Sequence, residues 1–325
     1  MIDCRIETAE KVNAKEWDRF MKEQNPTQIY NYGKVCSHKT TPLYISIYED
    51  GKKVFQWLIF LKKQYFLKIL YAISEPYPGN SIYTGIALKN AVKKFTPFRF
   101  EFYSVTLSKF TDINFFQQEH FSKIFEYGTN VIDLKLSEDD IFKGIHTKHR
   151  NVIRRASKAG VNVKEYPLTE PNLSRYYKIS EITYRRSNGK NISLAELNLY
   201  RDKLGKNKNL RLFVAEYKGV WQAASLILNT RSMSIYWHGA TIDKPVIGAA
   251  NLLHWDTMKI LKNEGIDKYD FGGIGLNYEI GSKLEGITRF KIRFGGQIKH
   301  FYGGIKIYNH LINNMYQIYN AHLKG

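Results

Sequence analysis

Two distant stretches of this chain spell the same supersecondary unit, and that repetition restricts the fold more than any other feature. Leu43–Phe60 reads LYISIYEDGKKVFQWLIF, and Leu212–Leu228 reads LFVAEYKGVWQAASLIL. Each is a β-rich run, a glycine-containing turn and a second β-rich run, which is a hairpin signature. The turn glycines Gly51 and Gly219 lie 219 − 51 = 168 residues apart. At nearly the same offset, Tyr77-Pro78-Gly79 matches Pro245-Val246-Ile247-Gly248, and Phe98–Tyr103 matches Asp267–Gly272. Several matches at one offset point to a duplicated unit. A chain of 325 residues holds two copies of about 160. The expected architecture is therefore α/β with mixed sheets in two tandem domains, 1–136 and 137–325.

The second copy is the easier to read. Ser137-Glu138-Asp139-Asp140 resembles a capping box, with carboxylates at the positive end of a helix. Ile141, Ile145, His149, Val152, Ala156 and Ala159 then recur at spacings of three and four, which predicts one helix ended by Gly160. Thr169-Glu170-Pro171 starts another, broken at Ser187-Asn188-Gly189, and Ser193 with Glu196 caps a third, ended by Gly205. Strands are expected at 211–217, 220–228 and 232–240, a helix from Gly248 to Asn263, and a strand at 267–272. The order is helices, a meander, then a β-α-β crossover.

Composition narrows the setting. The 49 basic and 30 acidic residues leave a net charge of +19, so the chain should attract something anionic: nucleic acid, nucleotide, phospholipid precursor or membrane surface. The N-terminus has no apolar core of a signal peptide. Val54–Ile73 is the most apolar stretch, but Lys62, Lys63, Gln64 and Lys68 interrupt it. A membrane span wants about 20 nearly unbroken apolar residues, so two strands around a polar turn fit better. A cytoplasmic protein is expected, with peripheral membrane contact left open. Two cysteines, Cys4 and Cys36, exclude a disulfide scaffold, and neither sits in a motif of a reactive thiolate.

No G-x-S-x-G elbow is present, so nothing indicates a covalent acyl-enzyme. His146 and His149 are three apart, but Lys143, Lys148 and Arg150 surround them and oppose a cation, so no metal site is expected. Gly272-Gly273-Ile274-Gly275 follows a strand but lacks the third glycine of a dinucleotide fingerprint, and Tyr278 stands there. The helix carrying Lys143, Lys148, Arg150, Arg154, Arg155 and Lys158 is either a solvated face or a phosphate- or membrane-facing surface. Arg154 and Arg155 are adjacent and cannot both face a core. Gly248-Ala249-Ala250 strips side-chain bulk from a helix start, either for an anion or carbonyl cradle or for tight packing. In Arg289-Phe290-Lys291-Ile292-Arg293-Phe294-Gly295-Gly296, a Lys fixed beside aromatics could stabilise an oxyanion developed during acyl transfer; a structural Phe pair with a solvated Lys is the competing reading. Asp270, at a strand end, is a candidate general base or a structural cap.

Taken together, these motifs resemble the Fem-type peptidyltransferases, which build peptidoglycan cross-bridges. Asn130–Val163 looks like the segment opening that family's second domain. Asn251-Leu252-Leu253-His254-Trp255, Tyr269-Asp270-Phe271-Gly272-Gly273 and Phe290-Lys291 through Phe294-Gly295-Gly296 look like its C-terminal signatures. The resemblance is good from 125 to 303 and faint before it. It implies two GNAT-like acyltransferase domains in tandem and transfer of an acyl group, often aminoacyl from a charged tRNA, to an amine by direct attack. By the same resemblance Lys291 would be catalytic, stabilising the tetrahedral intermediate; Asp270 stays beside it as the candidate base read from the residues alone. Gly248, Ala249 and Phe290 would face the acyl donor. Arg185, Arg186, Tyr236 and His238 would meet the acceptor, and Arg150, Arg154, Arg155 and Lys158 would form the anion surface.

The departures from the family bear on substrate. Pro245, with Lys244 beside it, stands where acyl-CoA enzymes of the GNAT type carry Gln or Arg, which weakens a coenzyme A reading. Gln28–Cys36 has Cys36 where the family commonly has Lys, and the Pro-Arg-Gly-Pro-type loop is missing near Glu75–Asn80; both features help grip the muramyl-peptide acceptor in the family, so their loss opens a different acceptor, such as an amino sugar of another surface glycan. The resemblance thus implies no bound cofactor and a co-substrate that is aminoacyl-tRNA or acyl-CoA. It also implies an acceptor that is a lipid-linked or nucleotide-linked cell-envelope precursor. The alternatives are an acyl-CoA-dependent N-acetyltransferase of an amino sugar in surface polysaccharide synthesis, and a non-catalytic RNA- or membrane-binding protein on a degenerate acyltransferase fold.

Overall fold

A computed structural model describes residues 1–21, 25–103 and 113–322. In chain order the elements are β1 (Ile2–Glu7), α1 (Ala14–Phe20), α2 (Tyr30–Cys36), β2 (Thr41–Glu49), β3 (Lys52–Gln64), β4 (Leu67–Ala72), α3 (Ser81–Phe95), β5 (Arg99–Phe102) and α4 (Ile113–Gln118). Then come β6 (Lys123–Asp133), α5 (Glu138–Gly144), α6 (Thr147–Lys158), β7 (Asn162–Tyr166), α7 (Glu170–Arg186) and α8 (Leu194–Tyr200). A π-helical turn, Arg201–Gly205, leads to β8 (Leu210–Tyr217), β9 (Val220–Asn229), β10 (Met233–Thr241), α9 (Ala249–Asn263), β11 (Lys268–Ile274), α10 (Lys283–Ile292), β12 (Gln297–Ile307) and α11 (His310–His322). The mixed α/β class expected from the sequence is what forms.

The chain groups into two units. Most of the chain before Gly128, together with the stretch from His300 on, makes the first; Gly128–Lys299 makes the second. In the first, the strands run in the order β1-β2-β3-β4-β5-β12; in the second, β6-β11-β10-β9-β8-β7. The topology repeats strand for strand. Strand β1 pairs antiparallel with β2 as β7 does with β8, and a meander follows each. A helix then crosses over to a parallel strand, β4 to β5 and β10 to β11. The hairpin turns repeat down to their dihedrals: Asp50 and Gly51 have φ of 48° and 78°, Lys218 and Gly219 49° and 78°. Two successive positive φ values give the turn whose twist suits a hairpin. The helix starts also correspond, since α3 is capped by Asn80 and α9 by Gly248, 248 − 80 = 168 residues apart.

The C-terminal stretch is the part that a linear division at 136/137 does not express. Beside β5 lies β12, antiparallel, in the place that β6 takes beside β11 in the second unit. That outer strand is supplied to the first unit by the end of the chain, so β12 and α11 group with residues over 200 positions earlier.

Each sheet is covered on two faces, which explains its continuous apolar runs. In β2, Leu43, Ile45 and Ile47 pack with Ala87, Leu88 and Ala91 of α3. Tyr44 turns the other way, its ring 4.9 Å from Trp17 of α1 and 5.3 Å from Tyr30 of α2. The stretch expected as two strands around a polar turn is β3 and β4. In the second unit, Leu252, Leu253, Met258 and Leu261 of α9 and Ile153 and Ala156 of α6 share one core with Phe213, Ala223 and Ile227 of the sheet.

One expected helix is two. The periodic run 141–159 breaks at Ile145, which is extended (φ −68°, ψ 132°), and a new helix starts behind His146, whose ring accepts a hydrogen bond from Lys148 N. The 3.6-residue pattern survives the break because Ile145 is still buried, inserted from the corner rather than from a helix face. Ser137 does cap α5, and Gly160, at φ 91°, follows the end of α6.

Candidate active site

The candidate site lies wholly within the second unit. Strands β10 and β11 pair in parallel over only three positions, Met233 to Ile235 against Lys268 to Asp270. Each strand carries an irregularity just beyond, β10 between Tyr236 and His238, β11 between Asp270 and Gly273. Bulges re-aim side chains and end pairing, and they cluster at functional sites. The result is a cleft where the two strands part, with Asp270 at its apex.

Asp270 is fully buried. Its Oδ1 accepts hydrogen bonds from the Thr129 hydroxyl of β6 and, at 2.8 Å, from Gly272 N. Its Oδ2 has no partner among the described residues. Burial dominates these two bonds and pushes the carboxyl up to about 6. Lys291, in the last turn of α10, is half-buried and donates to Gly273 O at 2.8 Å. Its Nζ lies 5.9 Å from the Tyr236 ring centre. Desolvation lowers its ammonium to about 8, against the attraction of Asp270, which acts the other way. The site thus holds a cation above a buried carboxylate, both pulled toward neutrality from opposite sides.

Sequence elements around Lys291 fix its position. Asn130 Nδ2 donates to the carbonyls of Lys291 (2.9 Å) and Gly295 (2.8 Å), pinning the end of α10 to β6. Gly295 and Gly296 have φ near 80°, and a Cβ on them would meet Gly144 O at 2.6 Å and Val131 O at 2.3 Å. Only glycine permits both the conformation and the approach. Phe290 and Phe294 face a cluster with His149, His254 and Phe271 at centroid distances of 4.7–5.6 Å. His254 Nδ1 meets the Tyr269 hydroxyl at 2.8 Å, and burial lowers its imidazole to about 3, so it stays neutral. The helix ends at Ile292, so Phe290 joins this cluster from the helix and Phe294 from the turn that follows it.

The other sequence candidates fall in different places. Tyr236 and His238 flank the bulge at Trp237 on β10. The Tyr236 hydroxyl lies over Gly239, where a Cβ would sit 1.7 Å away. His238 is bonded to the Tyr176 hydroxyl at 2.5 Å and stacked on Tyr184 at 4.7 Å; burial lowers it to about 4. Arg186 is engaged at the end of β10, donating to Thr241 Oγ1 at 2.8 Å and pairing with Asp243 at 3.4 Å, while Arg185 is exposed. At the start of α9, a Cβ on Gly248 would meet Val152 O of α6 at 2.1 Å, and Ala249 is buried in the core. The small residues there serve helix packing, and Ala249 N already donates to Val246 O at 2.9 Å. Phe290 likewise spends its ring on the aromatic cluster. Arg150 donates to Lys143 O at 2.6 Å and Ile145 O at 2.9 Å, closing the corner between α5 and α6. That removes it from the basic surface, which retains Arg154, Arg155 and Lys158, all exposed. His146 and His149 diverge, one a helix cap, the other bonded to Phe290 O at 3.0 Å.

Two site residues carry no motif of their own: Thr129 and Asn130, on β6. Thr129 lies outside every motif singled out in the sequence, and Asn130 enters only as the first residue of Asn130–Val163.

The comparisons with known proteins follow the same lines. Residues 206–323 match the FemAB family model. Among solved structures, FemX matches with a TM-score of 0.77 at 13% identity, covering 94% of this chain and 98% of that one. L-PGS from Bacillus licheniformis matches at 0.59 with 13% identity, over 92% of this chain and 93% of its own. A tandem GNAT protein from the clavulanic acid biosynthesis pathway matches at 0.54 with 9% identity, over 95% and 99%. No curated protein sequence matches. The stretch 206–323, which holds β10, β11 and Lys291, thus carries the FemAB pattern, on a tandem GNAT-like fold shared over nearly the whole chain with FemX.

Proposed function

We propose that the chain is an acyltransferase of the Fem type, moving an aminoacyl group from a charged tRNA to an amine of a cell-envelope precursor. The observation that carries this reading is Lys291, held by Asn130 and the Gly295-Gly296 turn with its ammonium at the mouth of the β10–β11 cleft. In direct attack, the acceptor amine adds to the ester carbonyl and the carbonyl oxygen becomes an oxyanion. A partly desolvated ammonium already aimed at a carbonyl oxygen, that of Gly273, can offer the same N–H to that oxyanion. The ammonium formed on the acceptor gives up a proton, and the tetrahedral intermediate then collapses, expelling the ribose oxygen, which takes up a proton and leaves as the hydroxyl. Asp270, titrating near neutrality, can take such a proton through its unpartnered Oδ2. No enzyme nucleophile is needed. The exposed Arg154, Arg155 and Lys158 supply a phosphate-facing surface. The FemAB match and the fold shared with FemX and L-PGS favour aminoacyl over acetyl transfer.

A second reading, acyl transfer from coenzyme A, has the tandem GNAT neighbour in its favour and Pro245 against it. Thermal unfolding with charged tRNA and with acetyl-CoA separates the two, because a ligand of the folded state alone raises apparent stability. Stabilisation by coenzyme A only would overturn the tRNA reading. For the chemistry, Lys291→Ala should lower transfer to a nucleotide-linked or lipid-linked precursor, muramyl peptide or amino sugar, by about 100-fold or more while the tRNA-induced shift persists. Unchanged turnover would remove Lys291 from the mechanism.

A further inference from the structure

The last helix of the first unit presents two adjacent apolar rows and uses one. Ile312 and Tyr316, one turn apart on α11, pack with Leu67, Ile69 and Phe98. The neighbouring row, Leu311, Met315, Ile318 and Tyr319, is 73, 61, 60 and 45% exposed. The β3–β4 turn adds Tyr65 and Phe66, 84 and 83% exposed. The two elements form one surface: the Tyr319 and Tyr65 hydroxyls are hydrogen-bonded, and a groove of about 210 Å³ opens between the turn and the helix. Single exposed apolar residues are ordinary, but six in one patch mark a docking surface.

The charge around the patch selects its occupant. Lys62 and Lys63 precede the turn and Lys68 follows it, and neither 61–72 nor α11 contains an Asp or Glu. A second copy of this face would set lysine against lysine. Tyr and Phe beside Lys, on an amphipathic helix, is the composition that settles at a bilayer interface, apolar side in and ammonium groups among the headgroups. No described helix is long and apolar enough to cross a membrane, so such contact would be peripheral. We propose that Tyr65, Phe66, Leu311, Met315, Ile318 and Tyr319 dock the first unit on an anionic lipid surface, with Lys62, Lys63 and Lys68 meeting the headgroups. The proposal stands on this patch and not on the acyl-transfer reading, which its failure would leave untouched.

The full chain is tested against phosphatidylcholine vesicles with and without phosphatidylglycerol. A net charge of +19 draws any face toward anionic vesicles, so the decisive probe is insertion. In Phe66→Trp, the emission of the introduced indole should shift to the blue with phosphatidylglycerol vesicles, and far less with phosphatidylcholine alone. Tyr65→Ser with Phe66→Ser, and separately Leu311→Ser with Ile318→Ser, should weaken sedimentation with the anionic vesicles by about tenfold. These side chains are exposed, and an unchanged circular dichroism spectrum confirms that the variants fold. An unshifted emission in Phe66→Trp, or serine variants that bind like the parent, would overturn the proposal. So would a dimer in size-exclusion chromatography that the serine substitutions dissolve, since the face would then belong to a second copy.

Discussion

Replacing Asp270 with Asn tests the electrostatics of the cleft without altering its shape. The carboxyl titrates at 3.8 when unfolded and at about 6 when folded, raised by burial. Between those values the folded state holds a proton that the unfolded state has released. Stability must then fall as pH rises, since its slope follows the protons bound by the unfolded state minus those bound by the folded one. At about 1.36 kcal/mol per pH unit, the gap from 3.8 to about 6 is worth about 3 kcal/mol. This contribution is fully present below about pH 4 and is lost as pH rises through about 6. In Asp270→Asn the amide does not titrate. Its carbonyl can keep the Thr129 and Gly272 bonds, but its NH2 takes the partnerless Oδ2 position and leaves two donors unsatisfied, at a pH-independent cost of about 1–3 kcal/mol. Urea unfolding of both proteins across this range should therefore give curves that converge by about 3 kcal/mol from acid to neutral pH, or cross. The subtraction cancels every titrating group that does not sense Asp270; Lys291 does, and in the variant it loses the attraction that raises it. Parallel curves would refute the reasoning, because the carboxyl would then titrate where an exposed one does. In turnover, the same ionisation should appear as an acid limb with a midpoint near 6, absent from the variant.

Three further tests follow from the packing and the charge. Gly248→Ala places a methyl 2.1 Å from Val152 O at φ 85°, so thermal unfolding should show a loss of about 2 kcal/mol or more, whereas Gly219→Ala, strained but open, should lose less. Arg211, 1% exposed, is held by Glu165 at 2.6 and 2.9 Å and by Glu264 at 2.8 Å; the two carboxylates it would leave behind reach solvent, so Arg211→Met should cost about 1–3 kcal/mol in denaturant unfolding. Reversing Arg154, Arg155 and Lys158 to Glu should weaken tRNA binding and flatten its salt dependence, measured by filter retention, while Arg150→Glu should instead appear as lost stability, since Arg150 closes the α5–α6 corner.

What the sequence discloses is whatever repeats or terminates locally. Gly51 and Gly219 announce their hairpins because only a residue tolerant of positive φ can close such a turn. The start of α9 at Gly248 and the crossover to β11 follow from the same local grammar. Lys291 was legible because the glycines beside it have no local helix or strand use; their purpose is the approach to Gly144 and Val131. What stays hidden depends on partners far along the chain. Arg211 reads as a polar residue at a strand start, and nothing nearby shows that Glu165 and Glu264 will enclose it. Arg150 and Arg154 look alike in sequence; one is consumed by the corner at Ile145, which a continuous 3.6-residue pattern conceals. Thr129 and Asn130 act on groups 141 to 165 residues away. The last strand joins the first unit because β5 needs an antiparallel neighbour, a requirement set by the sheet and not by any pattern within β12.

The cleft is arranged at a cost to folding, and that cost bears on what the cleft is for. At neutral pH, Lys291 is mostly charged although its folded value has dropped to about 8 from 10.5, and Asp270 is mostly charged although its own has risen to about 6. Each charge is destabilising where it stands, and their mutual attraction does not restore either to its ordinary range. Ordinary packing would favour an apolar pair in their place, as replacing buried ion pairs by well-packed apolar residues is often neutral or stabilising. The surrounding structure instead keeps the pair in position: Asn130 grips the end of α10, two glycines allow its close seating, and a neutral His254 with four aromatic rings closes off the interior side. Charged groups perturbed toward the operating pH in a cleft are the condition for acid–base and oxyanion chemistry. In the first unit the corresponding crossover, β4 to β5 beside α3, places Leu70, Ala72, Phe100 and Phe102 in an apolar core. The duplication thus supplied one frame twice, and at the same 168-residue offset the second copy bears the buried Asp270 where the first has the buried Phe102.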